Sequence, residues 1–160
     1  MELEELKSLI RKAFEDVKYP GDDRIARCGR SDTPIGCDDC DVIAEYFKGT
    51  TWQQHNTQTL IGCDDAVLFF KGEALHYYLP AFMIAELDDS DCMPNVYDAI
   101  ASAHRPSVDA YISAKREKYV KLLSASQRAA IVEYFKYHCT HKGIYKPDRD
   151  ISEIIESLRD

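Results

Sequence analysis

Six cysteines are spread along the chain, at positions 28, 37, 40, 63, 92 and 139. Cys37 and Cys40 have the two-residue spacing that brings two thiolates to one ion, and zinc takes four such soft ligands in a tetrahedron. Cys28 upstream and either Cys63 or His55 downstream can complete the set. One expectation is therefore a structural zinc held by Cys28, Cys37, Cys40 and Cys63, which would also pin the Pro- and Gly-containing stretch over residues 20–36. A full zinc signature has two close pairs and this chain has one. The competing expectation is a buried thiol, because Cys40 is in phase with Ile43 and Phe47 on a helix. A redox role for Cys37-Asp-Asp-Cys40 is disfavoured, since Asp38, Asp39 and Asp41 oppose thiolate formation and no βαβ context surrounds the pair. The start of the chain does not resemble a secretory signal, and 160 residues can bury a core without staples. Disulfides are accordingly not expected, and a reducing cytoplasm is.

Other side chains offer weaker chemistry. His76 stands beside Tyr77 and Tyr78, one helical turn from Glu73, and can act as a base if it faces a pocket. That permits a small enzyme with a site around His76 and Tyr78. Asp88, Asp89 and Asp91 can attract a divalent cation, although their spacing is not that of an EF-hand loop. His138 and His141 flank Cys139 near a helix end, where capping contacts suffice. No phosphate-binding glycine loop, H-E-x-x-H or G-x-S-x-G string occurs.

Charge and tyrosine content favour binding over catalysis. The chain carries 28 acidic and 20 basic residues, a formal net charge of −8. Such a field repels phosphate backbones and anionic lipid, so no nucleic-acid or membrane partner is expected. The densest basic stretch, Lys115 to Lys121 with Arg128, is diluted by Glu117 and carries no reading motif. There are ten tyrosines, and a surface helix has one inward stripe. Some rings among Tyr77, Tyr78, Tyr134 and Tyr137 are therefore expected at the surface, where tyrosine suits an interface. The leading expectation is a non-catalytic acidic module that binds a basic protein surface through Tyr77, Tyr78, Asp88, Asp89 and Asp91. One form of it is a bacterial immunity or antitoxin-type inhibitor, which blocks a basic cleft by occupancy. A zinc-stabilised adaptor is the further alternative.

The elements that must position these groups are helices. Apolar residues recur at spacings of three and four from Leu3 to Val17, from Val42 to Phe47, from Leu75 to Leu87, from Val108 to Leu123, from Ala130 to Tyr137 and from Ile151 to Leu158. Residues 66–70 are a short apolar run of either type, and residues 53–65 carry no clear period. Trp52 reads as a core plug. Pro80 predicts a kink or a junction of two helices, and Pro94 predicts a helix start. Ser124 or Ser126 can cap the penultimate helix. The fold class is all-α, a single domain of six to eight helices over 1–160 with a long loop near 20–36. No run of 18 apolar residues exists to cross a membrane.

The string Ile-Gly-Cys-Asp-Asp occurs twice, at 35–39 and 61–65. Either both copies are helix starts, with Gly allowing a tight entry and Asp accepting first-turn amides, or they form acidic knuckles. A weaker echo links Val67–Phe70 with Val120–Leu123.

Cys37-Asp-Asp-Cys40, Phe47-Lys-Gly49-Thr-Thr-Trp52 and Tyr77-Tyr-Leu-Pro-Ala-Phe82, followed by Leu122 to Ala130, resemble an uncharacterised family of small bacterial proteins. Its pattern is a C-x-x-C helix start, an F-x-G-x-x-W turn and a Y-Y-L-P-A-F helix. The resemblance covers residues 5–140 and implies kinship without an activity. The family's His just upstream of the Cys pair has no counterpart here, where Cys28 precedes the pair and the first His is His55.

Overall fold

The computed structural model describes residues 1–26, 38–105, 107–108, 110–141 and 149–159. Nine α-helices form among these residues, and the one strand-like pairing among them is an isolated bridge between Ala26 and Phe70. The all-α reading holds. The count exceeds six to eight because the stretch between Trp52 and Phe70 supplies two four-residue helices, α3 (Thr57–Leu60) in its polar part and α4 (Ala66–Phe69) in its apolar run.

Helix α1 (Leu3–Phe14) buries Leu6, Ile10 and Phe14 completely, one per turn along a single stripe. Its start is closed by a capping box in which the Glu2 main-chain N–H donates to Glu5 Oε2 at 3.0 Å. Helix α2 (Asp38–Phe47) turns Cys40, Ile43 and Phe47 inward and leaves its first-turn aspartates in solvent. A 3₁₀ turn over Trp52–Gln54 follows, and Trp52 is the expected core plug at 4% exposure.

Helix α5 (Gly72–Asp88) is the centre of the molecule. Helices α1, α3, α4, α6 (Val96–His104) and α7 (Ala110–Leu122) and the Trp52 turn all pack on it. Thirteen of its 17 residues are buried, around its whole circumference. A helix enclosed by neighbours is apolar on every side rather than along one stripe. This corrects the expectation for the tyrosines: Tyr77, Tyr78 and Tyr134 are 5%, 0% and 0% exposed. Tyr137 is half-buried. Pro80 sits inside α5 without dividing it, so the two-helix alternative does not hold.

Helix α8 (Ala125–His141) packs on α1, and α9 (Arg149–Ser157) packs on α6 and α8. Ser124 caps α8: its Oγ accepts from the Gln127 N–H at 3.2 Å, and the Ser124 N–H donates to Gln127 Oε1 at 2.9 Å. Ile151, Ile154 and Leu158 are buried as their spacing requires. Pro94 does not open α6, which begins two residues later at Val96. The Val67–Phe70 and Val120–Leu123 echo is not structural, because one run makes up most of α4 and the other straddles the end of α7. Among the described residues no helix is long and apolar enough to cross a membrane.

Candidate functional site

The cysteine set divides. Cys28 and Cys37 lie outside the described residues. Cys40 is 3% exposed on the inward row of α2, and Cys63 is half-buried between α3 and α4. Burial, then the charges of Asp65 and Asp64, push the Cys63 thiol above its usual range. Among the described residues no group of three His, Cys, Asp or Glu side chains is placed to hold a metal ion.

Tyr78 joins two of the strings on which the family resemblance rests. Tyr78 Oη donates to the main-chain oxygens of Phe47 at 2.7 Å and Thr50 at 3.0 Å. Thr50 Oγ1 also donates to Phe47 O, at 2.7 Å. The Phe47 ring lies 4.9 Å from Tyr78, 5.0 Å from Phe70 and 6.0 Å from Phe82. Gly49 takes a φ of +68°, which reverses the chain after α2, and its N–H donates to Tyr19 Oη at 2.8 Å. Tyr77 packs edge-on against Tyr19 at 5.6 Å. These aromatics therefore close the end of α2 onto α5, with Tyr77 and Tyr78 enclosed rather than at the surface.

The three aspartates also separate. Asp88 pairs with Lys7 Nζ, and Lys7 is 6% exposed and held on its other side by Glu4 at 2.7 Å. Burial pulls the Lys7 ammonium down, but its hydrogen bonds to Asp88 and Glu4 outweigh this and hold it above its ordinary value. Asp89 Oδ1 accepts from the Cys92 N–H at 3.1 Å and closes a turn. Asp91 is exposed.

His76 does border a groove, of about 640 Å³, together with Lys12, Lys18 and Arg24. Its Nε2 donates to Gln127 Oε1 at 2.9 Å, an oxygen that also accepts from the Ser124 N–H. Burial lowers the affinity of His76 for a proton, and the Gln127 bond partly offsets that. Tyr78 is not part of this groove, so the proposed His76–Tyr78 pairing does not form.

The feature most suited to a partner lies on α2, α3 and α4. Val42, Tyr46, Ile61 and Leu68 are 68%, 44%, 55% and 51% exposed. Tyr46 Oη donates to Thr59 O at 2.5 Å, which fastens α2 to α3, and α2 also packs on α4. Residues 38–65 carry six carboxylates, Asp38, Asp39, Asp41, Glu45, Asp64 and Asp65, against the single Lys48. The second Ile-Gly-Cys-Asp-Asp copy supplies part of this face. Gly62 makes the tight entry with a φ of +81°, yet Asp65 does not cap α4 through its side chain. Asp64 instead accepts from Asn95 Nδ2 at 2.6 Å. The sequence reading takes Val42, Ile43, Tyr46 and Phe47 as one inward stripe, and the structure corrects it: Cys40, Ile43 and Phe47 face in, while Val42 and Tyr46 lie off that row in solvent.

Two buried polar nodes were not legible as such. Glu86, 3% exposed, accepts from Tyr134 Oη at 3.0 Å and pairs with His138 Nε2 at 2.8 Å, tying α5 to α8. Burial and the neighbouring Glu86 charge push the Tyr134 phenol well above its usual range. His104, fully buried, has Nδ1 2.7 Å from Ile100 O and Nε2 3.0 Å from Tyr119 Oη. The carbonyl can only accept, so Nδ1 carries the proton and Nε2 accepts from the phenol. Burial drives the His104 pKa down to about 4.

An all-α bundle wound on one enclosed helix, with an aromatic lock and an acid-framed apolar face, is the class of protein these observations define. The chain belongs to the Family of unknown function (DUF6714), which matches residues 2–157. No curated protein and no solved structure matches it.

Proposed function

We propose that the protein is a non-catalytic binding module that docks a basic protein surface onto the face formed by α2, α3 and α4. The observation that carries this reading is four large apolar side chains, Val42, Tyr46, Ile61 and Leu68, exposed on neighbouring elements within a strongly acidic segment. Exposed apolar groups with a charged surround combine burial energy with selection of partners by sign. The net charge of −8 adds long-range attraction for a cationic partner and repels nucleic acid and anionic lipid. Tyr46 is the one tyrosine of this face, in place of the enclosed Tyr77 and Tyr78. An inhibitor of the immunity or antitoxin kind acts by occupancy and needs no reactive residue, which suits a face built from carboxylates and aliphatic groups.

The test compares the native chain, a double variant Val42→Lys/Leu68→Lys and a control Glu153→Lys on α9, each purified from its own host and weighed intact by native mass spectrometry. The expected result is a stoichiometric complex with a basic protein that the control retains and the double variant loses. High salt should also weaken it. A partner retained by the double variant, or a bare chain in every case, overturns the proposal.

A further inference from the structure

The groove of about 640 Å³ beside His76 shares no residue with the α2–α4 face. The end of α1 and the chain after it, the first turns of α5 and the link between α7 and α8 meet there. The Phe14 ring lies 6.1 Å from the His76 ring and sets the approach of α1 to α5. On the other side, the His76 ring is tied through Gln127 to Ser124, whose Oγ stands 2.9 Å from Ser126 Oγ.

These contacts fix one tautomer of His76. A main-chain N–H can only donate, so the Gln127 side-chain atom 2.9 Å from the Ser124 N–H is its oxygen. The same oxygen lies 2.9 Å from His76 Nε2, so Nε2 carries the hydrogen and Nδ1 keeps a lone pair. Nδ1 makes no hydrogen bond among the described residues, and it is not enclosed. Burial of the ring disfavours the imidazolium, so Nδ1 stands at the groove as a neutral acceptor.

Three cations border the same groove, in a chain whose net charge is −8. Lys12, Lys18 and Arg24 are exposed, and none forms an ion pair or a side-chain hydrogen bond among the described residues. Long and unpaired, they are free to turn their charged ends onto one anion. Asp16 and Glu73 also line the groove, so cations exceed carboxylates by one. These carboxylates can only accept, which suits a ligand that also carries hydrogen-bond donors.

We infer that this groove binds a small phosphomonoester whose organic part carries hydroxyl or ammonium groups. Lys12, Lys18 and Arg24 take the phosphate oxygens in charge-assisted bonds, and His76 Nδ1 accepts the hydrogen of the P–OH. A phosphate monoester gives up its second proton near pH 6, so at neutral pH one proton is shared between the phosphate oxygen and the imidazole. A sulfate has the shape and charge but no proton to share, and a carboxylate has two oxygens for three cations. The hydroxyl or ammonium groups donate to Asp16 and Glu73. The volume falls within the range of about 300–1,000 Å³ typical of metabolite sites.

The experiment titrates the full chain, ¹⁵N-labelled on histidine, with glycerol 3-phosphate and phosphoethanolamine, and separately with sulfate and glycerol. The expected result is saturable binding of at least one ester, with the His76 Nδ1 resonance moving away from that of a bare imine nitrogen. Neither control should produce either effect. Lys12→Gln/Arg24→Gln, at two exposed positions that leave the fold intact, should weaken binding about tenfold. Lys136→Gln removes the same kind of charge outside the groove, where it pairs with Glu133, and should leave binding unchanged. No saturable binding of either ester overturns the inference. So does sulfate that binds as tightly, an unmoved Nδ1 resonance, full binding by the double variant, or equal weakening by Lys136→Gln.

Discussion

The Tyr78 hydroxyl, on the central helix, lies 2.7 Å from the main-chain oxygen of Phe47, the last residue of α2. A helix end leaves carbonyls without intrahelical donors, and here a core phenol supplies one of them. The same hydroxyl reaches Thr50 O, so one side chain holds both the end of α2 and the turn that follows. Tyr78→Phe removes this donor and changes little else. Phe47 O keeps the Thr50 hydroxyl, while Thr50 O loses the phenol. A stability loss of about 1–2 kcal/mol is expected, read as a lower urea midpoint with an unchanged slope.

His104 makes stability fall in mild acid. Its folded pKa of about 4 lies below the ordinary histidine value of about 6.5. Above the ordinary value the ring is neutral in both states, and the group adds no pH dependence. Between the two values the unfolded chain takes up a proton that the folded chain refuses, so stability declines as pH falls and levels off below about 4. The full loss is on the order of 3 kcal/mol. His55 and His76, also held down by burial, add to the same slope. Urea unfolding at a series of pH values should show this decline, and His104→Gln should flatten part of it.

Glu86 holds two groups inside the core, accepting from the Tyr134 hydroxyl and lying beside the His138 imidazole. Removing it by Glu86→Ala strands the Tyr134 hydroxyl and the His138 imidazole between α5 and α8. A loss of about 3 kcal/mol or more is expected. Glu86→Gln keeps an acceptor oxygen and should cost clearly less. Thermal unfolding of both variants checks the order, and equal losses would contradict an acceptor role for the carboxylate.

The α2–α4 face contributes little to folding. Val42 is 68% exposed and Leu68 51% exposed, so Val42→Lys and Leu68→Lys should each change stability by less than about 0.5 kcal/mol. Calorimetry of the two variants checks this. A larger loss would mean that the face is packed in solution.

The helices that lie on the outside were readable from local spacing. Leu6, Ile10 and Phe14 of α1 and Ile151, Ile154 and Leu158 after them repeat at helical intervals, and each set is buried as a stripe. The Ser124 cap is likewise a local pattern in which a hydroxyl and a nearby amide side chain satisfy the first turn of α8. Such features depend on residues within one or two turns, so a linear reading captures them.

Tertiary structure decided which helix is enclosed. Tyr77 and Tyr78 read as a pair with one member outside, because adjacent residues on a surface helix diverge by about 100°. Five helices and the Trp52 turn surround α5, and both rings are buried. The partners of Glu86, 48 and 52 residues away on α8, follow from that packing and from no local pattern. The same holds for the groove between α1, α5 and the Trp52 turn, which exists once those elements have packed together. Sequence alone determined the class, the charge and the outer stripes, since these are sums or short-range periods. Burial of a particular hydroxyl or imidazole depends on what arrives from far along the chain, and only the assembled core specifies that.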